Sequence, residues 1–561
     1  MNEKIIKVLY ITPFFLLVFF FPTSANAASY YVSTTGNDSN SGAQDQPWKT
    51  IQKAADTMVA GDTVNVQDGD YASERVSVTK SGSSGSPITY QAEGTVVMKG
   101  FKIIASYVTV KGFEIANTNY VRWHEDVSSG VYVRGAGIVV EENYIHDATL
   151  NGIHLYGPPT DPAVTHDCIV RNNRLYHNEM AGIRASGRNN LIENNEVWGS
   201  VQCHSAVMAV EDIAADNPNH TPCPYPGISG IAGLDADGIR FFGQGHIIRG
   251  NHIHDIPYGP LGLNPDVGDY NNTPHIDCFQ TWGDQQYHEV GQNITFEKNF
   301  CDNLQSQAPE ENGHGFMLQS GANNLTIKNN IIRAYGGVNT GPTGHANHLY
   351  IYNNLWINNL SFHSFWPFAV GLDNAPYSIV KNNIFYDQPY HTIFGVGDIT
   401  DQDIDYNLAY NSDDSQPDCF RIDYVCQQLH AHDLWNVNPK FVNPAASDFH
   451  LQLSSPAINV GATLAEVIND YDGNSRPQGI GFDIGAYEYV FGVSPTSTPS
   501  SPPAGGPGDA NNDGAVDGID YVIWLNHYNT NTGNGSTDGD FNTDGTVDGI
   551  DYVIWLNHYG T

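Results

Sequence analysis

Through the middle of the chain one short pattern keeps returning: apolar-x-x-Asn-x-apolar, with the Asn at positions 143, 173, 195, 251, 299, 330, 354, 383 and 407. VRNNRL (170–175) and IVKNNI (379–384) are two of its copies. Most neighbouring copies lie 22 to 31 residues apart, and two gaps of 56 and 48 residues read as the same unit carrying insertions. A lone coil of this length cannot bury its apolar side chains, whereas stacked coils share one core. The pattern predicts short parallel strands stacked as a solenoid, with Asn at a repeating turn. There it tolerates left-handed backbone and can hydrogen-bond to its copy one rung away.

A second frame accompanies the first. It reads NGIHLYG (151–157), AGIRASG (181–187), DGIRFFG (237–243), DCFQTWG (277–283) and, with one extra residue, HGFMLQSG (314–321). Stacking these copies about 4.8 Å apart puts His154, Arg184, Arg240 and Gln280 in one column. Asn151, Ala181, Asp237, Asp277 and then His314 form another. The expectation is an exposed polar patch, a basic row beside an acidic one. The two long insertions, within 196–236 and 256–275, fall at these same coils and hold Glu211, Asp212, Asp235, Asp266, Asp269 and His275. Loops on a rigid scaffold commonly wall a site. Aromatic residues that could stack on sugar rings are close by, Trp282 among them.

The ends differ from this body. Lys4 and Lys7, the apolar run 11–21 and Ala25-Asn26-Ala27 read as a secretory signal peptide, residues 1–27. An amphipathic helix is predicted at Thr50–Met58, capping the first coil of a body spanning 28–490, and SPAINVGA (455–462) with DIGAYEY (483–489) is expected to close the other end. Residues 491–508 are rich in Pro, Ser, Thr and Gly and carry no charge, which marks a linker. The remainder, 509–561, is a duplication of GDxNxDGxVDGIDYVIWLNHY. Asp509, Asn511, Asp513, Asp517 and Asp520 fall at loop positions 1, 3, 5, 9 and 12 of one copy, and Asp540, Asn542, Asp544, Asp548 and Asp551 at those of the other. Gly514 and Gly545 stand at position 6. Calcium takes six to eight hard oxygen ligands, and this spacing wraps a loop around an ion. The apolar run after each loop reads as a helix.

Composition narrows the partners. The 24 Lys and Arg against 61 Asp and Glu leave a net charge of −37, which argues against nucleic acid and anionic membrane. The seven Cys are an odd number in a chain expected to be exported, so at least one is unpaired. Cys203 with Cys223, Cys419 with Cys426, and Cys278 with Cys301 are possible pairs; the last pair could equally be buried small hydrophobes.

The tail resembles a type I dockerin over nearly all of 509–561. That resemblance implies a small α-helical module folded around two calcium ions, docking onto a cohesin of a scaffold or cell-surface protein. The body, over roughly residues 30–490, resembles the pectate-lyase-like superfamily. This implies an all-β, right-handed parallel β-helix that is secreted and acts on polysaccharide. GHG (313–315) and HIDC (275–278) also resemble segments of β-helix polygalacturonases, but the Arg-Ile-Lys motif of that family is absent.

Two enzymatic readings follow, with Asp237, Arg240, Asp277 and His314 as the catalytic set and His154, Arg184, His275, Gln280 and Trp282 as substrate contacts. In β-elimination, Asp235, Asp237 and Asp277 could hold a further calcium while Arg240 or Arg184 acts as base. In glycoside hydrolysis, Asp237 and Asp277 would be the acid–base pair. A non-enzymatic glycan-binding or adhesin β-helix is the third reading. His146, His177 and His254, at a fixed offset from the Asn ladder, are expected to stabilise turns.

Overall fold

The computed structural model describes residues 27–119, 124–200, 203–205, 230–232, 236–256, 276–283, 289–302, 313–319, 321–334, 336–341, 346–357, 368–388, 391–413, 421–422, 425–427, 429–490, 508, 510, 516, 518–528, 530, 532, 535–542 and 545–558. They form two compact units. One runs to Lys440 and resumes at Leu451–Tyr489; the other joins Phe441–His450 to Val490–Thr561. Residues 1–26 of the expected signal peptide, most of both insertions and the 491–507 part of the linker lie outside the described residues, as do Cys223 and Cys419.

The first unit is a parallel β-helix with three faces. Its long opening strands Thr63–Val78 and Ile88–Ile103 each span more than one face. Every later coil contributes one strand to each face, in register with the coil before it. On the first face, Val139–Glu141, Ile169–Arg171, Leu191–Glu193 and Ile247–Arg249 pair successively. Tyr144–His146, Arg174–Tyr176, Glu196–Trp198 and His252–His254 do so on the second. The third face stacks Val131–Val133, Asn151–Leu155, Ala181–Ala185, Asp237–Phe241, Ile276–Thr281, Gly313–Leu318 and Gly336–Asn339.

The Asn ladder occupies the corner between the first and second faces, and all nine Asn are buried. Each side-chain amide donates to the carbonyl oxygen of the next Asn, as Asn330 Nδ2 does to Asn354 Oδ1 at 3.0 Å. The same oxygen accepts the backbone N–H of the preceding Asn, 2.9 Å for Asn330. Asp433 terminates the ladder by accepting from Asn407 N at 2.9 Å. One detail of the sequence reading is corrected. The left-handed residue is the one before each ladder Asn: Asn172, Asn329, Asn353 and Asn382 have φ of 54°, 53°, 53° and 59°. The ladder Asn itself turns inward, because only a buried amide meets its copy across one rung.

These outward-facing first Asn hold the C-terminal segment. Asn329 Nδ2 donates to Asn469 O at 2.6 Å, Asn353 Nδ2 to Asp483 O at 2.9 Å, and Asn382 Nδ2 to Ala462 O at 2.9 Å. Arg476, paired with Glu488 at 2.6 Å in a fully buried bridge, also donates to Asn329 Oδ1 at 3.1 Å. The segment with DIGAYEY thus runs back along a corner of the body instead of closing its end. The predicted N-terminal helix forms at Ile51–Thr57, with Thr50 as N-cap, and buries Ile51, Ala54 and Ala55. Glu74 accepts from Ile51 N at 2.9 Å, a carboxylate at the positive end of the helix.

On the third face a glycine column, Gly152, Gly182, Gly238, Gly315 and Gly337, answers a tight approach. A Cβ at Gly182 would lie 2.3 Å from Val197 on the second face, and one at Gly238 would lie 2.5 Å from Ile253. Cys278 stands in this column where the facing residue is Cys301, and the two form a disulfide. Cys168 is free and buried.

The second unit contains two ten-residue helices, Gly518–His527 and Gly549–His558. Tyr521 meets Trp555 at 5.0 Å and Trp524 meets Tyr552 at 5.2 Å, which explains the apolar run after each loop. Among the described residues no helix is long and apolar enough to cross a membrane.

Removing one Asn from the ladder leaves buried donors and acceptors unpaired on both neighbouring rungs. Asn330→Ala is expected to cost about 3 kcal/mol in urea unfolding, whereas Asn324→Gly, at an exposed left-handed position (φ 55°) that glycine adopts without strain, should stay within about 0.5 kcal/mol.

Candidate functional site

The third face brings the expected columns together. Arg184 lies in register with His154 on one side and Arg240 on the other. Arg240 pairs with Gln280, Gln280 with Met317, and Met317 with Asn339. In the other column Asp277 pairs with His314, and Asp277 N donates to Asp237 Oδ1 at 3.1 Å.

The expectation of an exposed row is corrected. Asp237, Asp277 and His154 have no exposed surface, and Arg240 and Gln280 keep 3% and 2%. The polar groups are turned onto one another. Arg240 Nε donates to Asp237 Oδ2 at 2.5 Å. Arg184 Nη1 donates to Glu125 Oε1 at 3.0 Å, and His154 Nδ1 lies 3.6 Å from the other oxygen of that carboxylate. Glu125 opens a short helix, Glu125–Ser128, beside these rungs. Rings fill the flanks: Arg184 lies over Phe242 at 5.4 Å and Arg240 over Trp282 at 5.3 Å. Trp282 is half-buried and meets Phe242 edge-on at 4.8 Å. Tyr132 and Tyr156 enclose the His154 ring.

Asp277 and His314 form the most definite pair. Asp277 Oδ1 lies 3.0 Å from His314 Nδ1, and Asn339 Nδ2 lies 3.2 Å from His314 Nε2. Asn339 Oδ1 accepts from Gly341 N at 2.8 Å, which fixes the amide orientation. Nδ2 therefore donates to Nε2, so Nε2 carries the lone pair and Nδ1 carries the proton given to Asp277. Gly336 makes room for this ring, since a Cβ there would fall 2.7 Å from it.

His275, Asp235, Glu211, Asp212, Asp266 and Asp269 lie outside the described residues. Glu125, Tyr132 and Asn339 were not expected from sequence. Asn339 was readable: GGVN (336–339) continues the same Gly-apolar-polar frame. Glu125 belongs to no frame, and only the folding of the chain brings it to Arg184. Of the residues expected to hold a calcium ion on this face, Asp235 lies outside the described residues, while both oxygens of Asp237 and Oδ1 of Asp277 meet Arg240, the Asp277 N–H and His314.

In the tail, Asp520, Asp540, Asn542, Asp548 and Asp551 are described, while Asp509, Asn511, Asp513, Asp517 and Asp544 lie outside the described residues. Asp551, at position 12, accepts from Asn542 N at 3.0 Å and Asp548 N at 2.8 Å, drawing its loop closed. Asp540 accepts from Gly545 N at 2.9 Å, and Gly545 has the left-handed φ of 90° that a sharp turn at position 6 demands. This is an oxygen-rich loop suited to a hard cation. The acceptor set fits calcium.

His154 makes the site acid-sensitive. Burial pushes its imidazole down to about 3, with Glu125 opposing and Arg184 adding to the shift. The folded value is depressed below the unfolded one, so the stability it contributes is full above about pH 6.5 and is lost as pH falls. Between pH 6.5 and 4 the parent should lose up to about 1.4 kcal/mol per pH unit from this group. His154→Gln should flatten that slope in urea unfolding measured at both pH values, and an unchanged slope would remove His154 from the account.

Residues 30–198 match the family model of the Pel9A-like right-handed β-helix region, and residues 507–558 match that of the dockerin type I domain. The uncharacterized protein YwoF of Bacillus subtilis is 31% identical over 132 residues, 20% of this chain and 28% of YwoF. The pectate disaccharide-lyase of Dickeya chrysanthemi is 23% identical over 236 residues, 42% of this chain and 24% of that protein. The chain thus spans about a quarter of the length of each of these relatives. Among solved structures, the complex of XylC with xylose is 13% identical, covers 82% of this chain and 98% of its own, and has a TM-score of 0.48. Pectate lyase Pel9A is 16% identical, with 83% and 97% covered and a TM-score of 0.44. Type I dockerins bind calcium, in agreement with the loop chemistry of the tail. The body of the chain is a right-handed parallel β-helix with a Pel9A-like region, and its tail is a type I dockerin domain.

Proposed function

We propose that this chain is a secreted carbohydrate-active enzyme that degrades a uronate-containing polysaccharide by β-elimination on the third face of its β-helix. The observation that carries this reading is the Asp277–His314 pair, in which Nδ1–H donates to Asp277 and the Nε2 lone pair, which accepts from the Asn339 amide, must be released from it to take a substrate proton. A general base needs that lone pair, held by a group that stabilises the protonated ring. The base takes the proton next to the uronate carboxylate, the electron pair forms the C=C bond, and the glycosidic C–O bond on the neighbouring carbon breaks, its oxygen taking a proton from water to become the hydroxyl of the released chain. Arg184 and Arg240, on successive rungs, neutralise the carboxylate as charge develops. Arg240 is a poor base here, because Asp237 at 2.5 Å holds its proton. Trp282, which is half-buried, and His275 remain the proposed sugar contacts, whereas His154 and Gln280 are buried and would act from behind them. The partial match to a protein named pectate disaccharide-lyase supports a uronate substrate.

The proposed domain plan is a signal peptide, 1–27; the β-helix, 28–490; a linker, 491–508; and the dockerin, 509–561. The dockerin holds two calcium ions, one per repeat, and anchors the enzyme to a cohesin-bearing scaffold or cell-surface protein.

A panel of uronate and neutral polysaccharides tests the reaction. Elimination gives an unsaturated, ultraviolet-absorbing product; new reducing ends without that absorbance mean that Asp237 and Asp277 hydrolyse the bond instead; binding without either product supports the glycan-binding reading. On a responsive polymer, His314→Gln and Asp277→Asn should lower kcat by about 10²-fold or more while remaining folded and secreted. Full activity in both variants would place the chemistry elsewhere. For the tail, Asp551→Ala should abolish calcium-dependent retention on immobilised cohesin; retention that survives both the substitution and chelator would contradict the calcium dependence, and a parent that is not retained would contradict the docking role.

A further inference from the structure

The second face carries a side-chain cluster that the reaction above does not use. His252 and His254 lie two residues apart on one strand, so both rings project outward while Ile253 enters the core. Glu196 is the register partner of His252 on the neighbouring rung. One ligand atom from each of Glu196, His252 and His254 falls within 4.8 Å of the other two. Among the described residues this is the one such group of three.

Three observations distinguish it from an ordinary surface ion pair. First, His252 Nε2 is buried and has no hydrogen-bond partner. Second, the rings are held in place by packing: His252 stacks on His254 at 4.2 Å and on Phe300 at 5.0 Å, and Trp198 stacks on His254 at 5.9 Å. Third, each of the other two ligands has an outer partner. Asp255 Oδ2 binds His254 Nδ1 at 2.8 Å, which directs Nε2 to Glu196 Oε1 at 3.2 Å. Arg174 Nε binds the other Glu196 oxygen at 3.0 Å. A carboxylate on the far nitrogen of a ligating imidazole is the usual support of a metal-bound His.

We propose that Glu196, His252 and His254 form a site for a divalent transition metal of the zinc class, with water completing the coordination. Two imidazoles and one carboxylate are a donor set for zinc or cobalt and a poor one for calcium. Ligand atoms about 2.1 Å from one ion stand at most about 4.2 Å apart, so side-chain rotation suffices to close the set. The ion would join two rungs whose ladder Asn, Asn195 and Asn251, are 56 residues apart in sequence, clipping the base of the longest insertion. The Arg174 charge weakens the site but leaves one Glu196 oxygen facing the histidines.

The test uses the full chain in calcium-saturated buffer, so that the dockerin loops are occupied before transition metal is added. Cobalt(II) should give visible ligand-field bands at one equivalent, and zinc should displace them. His252→Phe keeps the stack on Phe300 and removes the ligand; it should abolish the bands and weaken zinc binding at least about 10-fold in competition with a chromophoric chelator. Glu196→Gln, which preserves shape and hydrogen bonding, should weaken it similarly. Zinc should raise the melting temperature of the parent and not of His252→Phe. Equal zinc affinity and equal cobalt spectra in parent and both variants would overturn the proposal, as would a parent that binds no cobalt beyond its dockerin.

Discussion

The rung spacing of hydrogen-bonded parallel strands, about 4.8 Å, governs this molecule. Once every coil is held in register, a residue type that recurs in sequence becomes a column in space. The buried Asn ladder is the interaction that keeps this register. Each amide must meet its copy, as Asn299 meets Asn330 at 2.9 Å, and a slip by one residue would strand donors in the core. The insertions between Asn195 and Asn251 and between Asn251 and Asn299 leave the ladder unbroken, with 3.0 Å bonds across both. The scaffold therefore carries long excursions without losing alignment at their bases.

The same register builds the candidate site. Polar residues on a strand interior are costly unless they find partners. Here the columns supply them: Asp237 takes Arg240 and the backbone of Asp277, and Asp277 takes His314. Glycine in the adjacent column lets the third face lie close against the second, and Cys278 is accommodated because it bonds Cys301. Site and core are thus not separable, and substitutions at Asp237 or Arg240 test stability as well as chemistry.

Much of this was legible in the sequence because periodicity and register are properties of residue spacing. The nine ladder positions, the Arg184–Arg240 and Asp277–His314 alignments and the helix near residues 51–57 could be read directly. Burial could not. The columns looked like an exposed row because a strand pattern does not report what packs over its outer side, and Glu125 belongs to no repeat. The double Asn at 329–330, 353–354 and 382–383 was visible, but its division of labour was not. One Asn enters the ladder, and its left-handed neighbour ties down the returning segment. Nor does sequence spacing reveal that Glu196 faces His252, since the two are brought together only by the stacking of coils.

The claim on which the functional account rests is that the third-face columns engage the polymer. A crystal structure of the His314→Gln protein soaked with a uronate oligosaccharide tests it directly. The account predicts sugar density along the rungs of Asp237–Phe241 and Ile276–Thr281, with a carboxylate at Arg184 or Arg240 and a ring against Trp282. Ordered oligosaccharide on the first or second face, with these columns left as they are without it, would contradict the account.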